Sequence, residues 1–139
     1  MEVTIALGVL AFAGIAILGL LPTALNSLQA ASFDTLAARI SAQVKADLQQ
    51  VELEGSGAGV RFYNMEGSEV SSGDPGAVFQ AYRSEATQPL PGTTPPRLRR
   101  VSVQVVYNPA GHLLSVDGDG WANMPASMPS KIFRFYVTR

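Results

Sequence analysis

Glu2-Val3-Thr4-Ile5-Ala6-Leu7-Gly8-Val9-Leu10-Ala11-Phe12-Ala13-Gly14-Ile15-Ala16-Ile17-Leu18-Gly19-Leu20-Leu21-Pro22-Thr23-Ala24-Leu25 opens the chain and decides how the rest is read. No charge occurs between Val3 and Leu25, and Thr4 and Thr23 carry the only hydroxyls there. Coiled as a helix at about 1.5 Å per residue, this run is roughly 34 Å long, enough for a bilayer core of about 30 Å. It reads as a membrane helix with one carboxylate, Glu2, at its tip. It is not a plain secretory signal, which needs a basic start and a shorter apolar core. Nor does it carry the flanking Lys or Arg that orients an ordinary anchor, since the first basic residue is Arg39. Gly8, Gly14 and Gly19 would let another helix approach closely. Pro22 removes one backbone hydrogen bond, so a kink or a locally melted turn is expected there, with Asn26 or Ser32 as caps if the helix breaks.

Outward from the anchor, the pattern changes without a stop. Phe33, Leu36, Ile40, Val44, Leu48 and Val51 recur every three or four residues and form one apolar stripe, with Asp34, Arg39, Lys45 and Asp47 on other faces. Gly55-Ser56-Gly57 supplies the end. The reading is a helix of about 50 residues, apolar all round in its first half and amphipathic in its second. Three segments follow: an anchoring helix over 1–25, its amphipathic continuation over 26–54, and a β-rich head over 55–139 that forms one domain with the helix.

Most of the thirteen glycines and nine prolines lie beyond residue 54, as expected of a strand-and-turn head. Val60–Asn64, Val78–Ser84, Leu98–Tyr107 and Lys131–Thr138 read as strands, and Met65–Ser68 and Ser71–Gly76 as turns. Asn108-Pro109-Ala110-Gly111 makes a further turn leading into His112–Val116, and Gln88–Pro96 is a proline-rich crossing. In Leu98–Tyr107, Val101, Val103 and Val105 alternate with Arg100, Ser102 and Gln104, which implies one buried and one solvated face. The fold class is α+β: a long helix laid on a small antiparallel sheet of about four strands.

Totals narrow the function. Ten basic and eleven acidic residues nearly cancel, which gives no case for nucleic-acid binding. No cysteine is present, so disulfides and thiolate metal sites are excluded. His112 is the only histidine and has no partner pattern for catalysis, and no serine lies in a nucleophile elbow. The chain reads as a non-enzyme. Arg97, Arg99 and Arg100 suit a solvated strand edge. Asp117-Gly118-Asp119-Gly120 reads as a tight turn. Trp121, Met124 and Met128 are expected to fold back on the core or to form a partner contact.

The opening segment Glu2-Val3-Thr4-Ile5-Ala6-Leu7-Gly8-Val9-Leu10-Ala11-Phe12 resembles the start of type IV pilins and pseudopilins, with Glu2 at the position of their glutamate and Val3–Leu25 as their apolar helix. Among these, the chain is similar to short, Pro- and Gly-rich minor subunits, in particular the Verru_Chthon cassette proteins. The leader and cleavage glycine are missing upstream, and one expectation is that Met1 is an alternative start codon inside a longer frame. The resemblance implies a pilin-like fold and a single-pass subunit of the inner membrane. Its head would stand in the periplasm, and its helix would later pack in a pilus or secretion filament. It implies other pilin-like subunits, a prepilin peptidase, an inner-membrane assembly platform and membrane lipid as partners. It also implies that Glu2 pairs with a neighbouring subunit's terminal amine, so that Glu2 and Pro22 are the candidate assembly residues. Some pseudopilins hold calcium in a C-terminal loop, which makes Asp117 and Asp119 candidate ligands here. The competing class is a bitopic envelope protein whose head binds a ligand or partner without polymerising.

Overall fold

The computed structural model describes residues 2–50, 59–86 and 98–138. The Gly55–Gly57 stop, the Gln88–Pro96 crossing, Val51 and Arg97 lie outside the described residues. One helix, α1 (Glu2–Gln50), is followed by five strands: β1 (Val60–Tyr63), β2 (Glu69–Val70), β3 (Phe79–Ala86), β4 (Leu98–Tyr107) and β5 (Ser130–Thr138). The α+β class is therefore as expected, an architecture consistent with a pilin-like fold. The chain divides into two compact units, Met1–Asp34 and Thr35–Arg139.

The first unit is helix alone. Its helical backbone is unbroken across Pro22, which corrects the expected melted turn, and Asn26 and Ser32 lie inside the helix rather than capping it. Proline's fixed φ is already helical, so the loss is confined to one N–H, the donor for the Leu18 carbonyl. Ser27 Oγ donates to the Thr23 carbonyl at 2.9 Å, which keeps that hydroxyl satisfied without leaving the helix.

The second unit is built on a five-stranded sheet in the order β2-β1-β3-β4-β5, antiparallel throughout. The two-residue β2 had no sequence signal of its own. It exists because the Met65–Ser68 turn folds Glu69 and Val70 back on Tyr63 and Phe62. The turn is held by the Asn64 side chain, whose Oδ1 accepts from Glu66 N–H at 3.1 Å and Ser68 N–H at 2.8 Å.

Register sorts the side chains into two faces. Arg61, Tyr63, Phe79, Ala81, Val101, Val103, Val105, Phe133 and Phe135 share one. The amphipathic part of α1 covers that face, since Asp47 on the helix meets Arg61 on β1. The predicted stripe is the buried one: Ile40, Val44 and Leu48 are enclosed, with Ala37 and Ser41 beside them, while Phe33 and Leu36 are half-buried. Each enclosed Ile, Val or Leu side chain contributes roughly 1.5–3 kcal/mol by leaving water. Ser41 sits in the stripe without penalty because its hydroxyl donates to the Ala38 carbonyl at 2.8 Å.

The other face corrects the expectation of a solvated side. Gln80, Tyr82, Ser102, Gln104 and Val106 are all buried. The segment from Asn108 to Pro129 lies across them, and Leu114, Ala122, Met124 and Met128 pack with Val60, Tyr82 and Val106. His112–Val116 forms no strand. Its one sheet-like contact is a bridge between Val116 and Ala122. The head thus has three layers: helix, sheet and a loop that serves as the third.

Candidate functional site

Two features of the head carry specific polar chemistry. The first joins helix to sheet. Arg61 on β1 forms an ion pair with Asp47 on α1 and a second with Glu69 on β2 at 3.3 Å. Burial disfavours the Arg61 charge, but the hydrogen bond to Asp47 and the field of Glu69 outweigh it, so the guanidinium stands above its ordinary value. All three side chains remain partly exposed, and pairs of this kind add modest stability. The geometry fixes where the helix meets β1 more than how strongly.

Next to this clasp, the Tyr63 phenol is pushed up to about 12, mainly by burial, with Glu69 adding to the shift and Arg61 opposing it. The neutral phenol is therefore the form that the fold holds. Unfolded tyrosine ionises near its ordinary value of about 10, so Tyr63 contributes stability that is complete below pH 10 and lost between pH 10 and about 12. Denaturant unfolding of the full chain in detergent is expected to show this alkaline loss, and Tyr63→Phe is expected to shrink it. A loss of the same size in Tyr63→Phe would assign the alkaline limb to other groups.

The second feature is the loop layer, and its anchors were missed in the sequence. Tyr82 Oη donates to Gln80 Oε1 at 2.6 Å and accepts from Leu114 N–H at 3.2 Å. Gln80 Nε2 and Asn108 Nδ2 both donate to the His112 carbonyl, at 2.9 and 2.7 Å. Gln104 Oε1 accepts from Ala122 N–H at 2.8 Å, and Ser84 Oγ donates to the Asp119 carbonyl. Side chains of β3 and β4, with Asn108, thus satisfy backbone groups of a loop whose own sheet pairing is a single bridge. A sequence signal was present: a loop this long with little internal structure needs a surface to lie on, and glutamines within strands can supply its hydrogen bonds.

The predicted site residues are distributed as follows. Glu2 begins α1 and Pro22 lies within it. His112 contributes its carbonyl to the loop layer. Asp117 Oδ1 accepts from Asp119 N–H at 3.0 Å and Trp121 N–H at 2.8 Å, so this carboxylate closes the tight turn. Gly120 completes it at φ +85°, where a Cβ would also meet the Arg83 carbonyl at 3.4 Å. Calcium takes about six to eight oxygens. No group of three or more acidic or histidine side chains gathers among the described residues. Asp117 and Asp119 are both exposed in this turn, with no third such side chain gathered beside them among the described residues. Met124 and Met128 are half-buried against the sheet, Trp121 is partly exposed, and Arg100 is exposed on β4.

Away from the head, α1 is long and apolar enough to cross a membrane, and its most apolar part is unburied. Val3, Leu10, Phe12 and Ile15 are each more than two-thirds exposed. Gly8, Gly14 and Gly19 have open space where a side chain would stand. No family model, curated protein or solved structure matches the chain.

Proposed function

We propose that this chain is a pilin-like or pseudopilin subunit. It is held in the inner membrane by the first half of α1, presents its head to the periplasm, and assembles through the same helix into a type IV pilus or secretion-type filament. The observation that carries this reading is one uninterrupted helix with two surfaces. Its first half is apolar and bare, and its second half forms the enclosed side of the head. Bare apolar surface of that extent needs either lipid or other helices. Gly8, Gly14 and Gly19 leave room for close packing by copies of the same helix.

Glu2 is the assembly residue in this reading. A carboxylate at the tip of an apolar helix is costly to desolvate without a partner. Pairing with the terminal amine of a neighbouring subunit offsets that cost and sets the axial register. Glu2→Leu and Glu2→Ala are expected to leave the amount of chain in the membrane fraction unchanged and to abolish its recovery in sheared filaments. Normal incorporation of either variant would remove Glu2 from the mechanism. Absence of the native chain from any filament would favour a non-polymerising membrane-anchored protein.

A further inference from the structure

The loop layer covers only part of its face of the sheet. β5 contributes Ile132, Arg134 and Tyr136 to that same face, by their register with Gln104, Ser102 and Arg100. There Ile132 is 45% and Tyr136 54% exposed, with exposed Arg134 between them. The loop beside this strip is apolar and acidic in its turn. Leu113 is 64% and Val116 46% exposed, and Asp119 is exposed at the tip of the turn that Asp117 closes. Neither Arg134 nor Asp119 forms an ion pair with a described residue.

We infer that the occupant of the β5 strip is the loop of a second copy of this chain, with Arg134 of one head facing Asp119 of the next, and Ile132 and Tyr136 packing on Leu113 and Val116. Two exposed patches of matching character, each an apolar pair with one exposed charge of opposite sign, are complementary in both packing and charge. Because strip and loop lie side by side on one face of the sheet, the contact is self-complementary: each head's Arg134 meets the other's Asp119 about a two-fold axis. This pairing of heads is separate from the packing of the helices in the filament reading, and the two are tested apart.

The test uses the full-length chain in membranes, where the lack of native cysteine makes disulfide mapping clean. Chains carrying Tyr136→Cys, mixed with chains carrying Val116→Cys, are expected to form a disulfide-linked dimer on mild oxidation, well above either chain alone. Arg134→Glu in the first chain is expected to lower the yield by about tenfold, as is Asp119→Arg in the second. The two swaps together are expected to restore it. Both swapped positions are exposed, and protease resistance of the head checks that folding is intact. No mixed dimer, equal yields from single variants, or no recovery in the double swap would overturn the contact. Filaments that form without the cross-link refute this contact and leave the subunit reading standing. A cross-link in membranes from a chain that never enters filaments does the reverse.

Discussion

An aspartate at Ile40 is expected to leave the head unfolded while the chain stays in the membrane fraction. Ile40 is wholly enclosed at the centre of the stripe formed by Ala37, Ile40, Ser41, Val44 and Leu48. Truncating such a side chain costs about 2–5 kcal/mol, and burying a carboxylate there costs several more. A domain of this size has roughly 5–15 kcal/mol in total, so the two losses together consume most of it. The apolar residues from Val3 to Leu25 are untouched, so membrane retention is preserved. Limited proteolysis of membranes reads the outcome: rapid loss of the head in Ile40→Asp, and near-native resistance in Ile40→Val, which costs only about 0.5–1.5 kcal/mol. A protease-resistant Ile40→Asp head would mean that the stripe is not what joins helix to sheet.

Gln104→Leu is expected to detach the loop layer while leaving the sheet in place. Its Oε1 is the acceptor for Ala122 N–H, a buried donor, and its Nε2 lies 3.9 Å from Met124 Sδ. Leucine has similar volume but no acceptor, so Ala122 N–H is stranded at a cost of about 1–3 kcal/mol. Because Gln104 ties the loop to β4 through its side chain and leaves the β4 backbone ladder untouched, the loss is local. Amide exchange across 112–124 is expected to rise by one to two orders of magnitude, at about 1.4 kcal/mol per tenfold. The amides of β4 would stay protected. Tyr82→Phe removes the acceptor of Leu114 N–H and is expected to act on the same segment. Equal deprotection of β4 in Gln104→Leu would show that loop and sheet open as one unit.

The sequence made the helix and its stripe legible because a period near 3.6 over Phe33–Leu48 has no competing explanation. The bounds of β4 could be read as Leu98–Tyr107 because three valines at spacing two leave little else to fit. Polar residues were where pattern reading failed. Ser102 and Gln104 alternate with valines just as solvent-facing residues would, and only the loop from Asn108 to Pro129 turns their face inward. A strand's alternation reports which residues share a face, not what lies on each side. The turn at Asp117 could be read from its Asp-Gly-Asp-Gly run, but that Asp117 would serve as an acceptor for two backbone donors depended on how Trp121 returns. The helix across Pro22 went the other way. A local breaker signal was overridden by a long apolar run of otherwise good helix formers.

The amphipathic part of the helix also has a mechanical meaning. Within the Thr35–Arg139 unit, force along its helical part loads the Ile40–Leu48 stripe, which lies lengthwise along that part of the helix. Sliding that stripe off the sheet loads Ile40, Val44, Leu48 and the Asp47–Arg61 pair simultaneously, whereas peeling would break them one at a time. Simultaneous loading is the stronger arrangement for the same set of weak contacts. A head fastened in this way resists axial force beyond what its modest equilibrium stability would suggest.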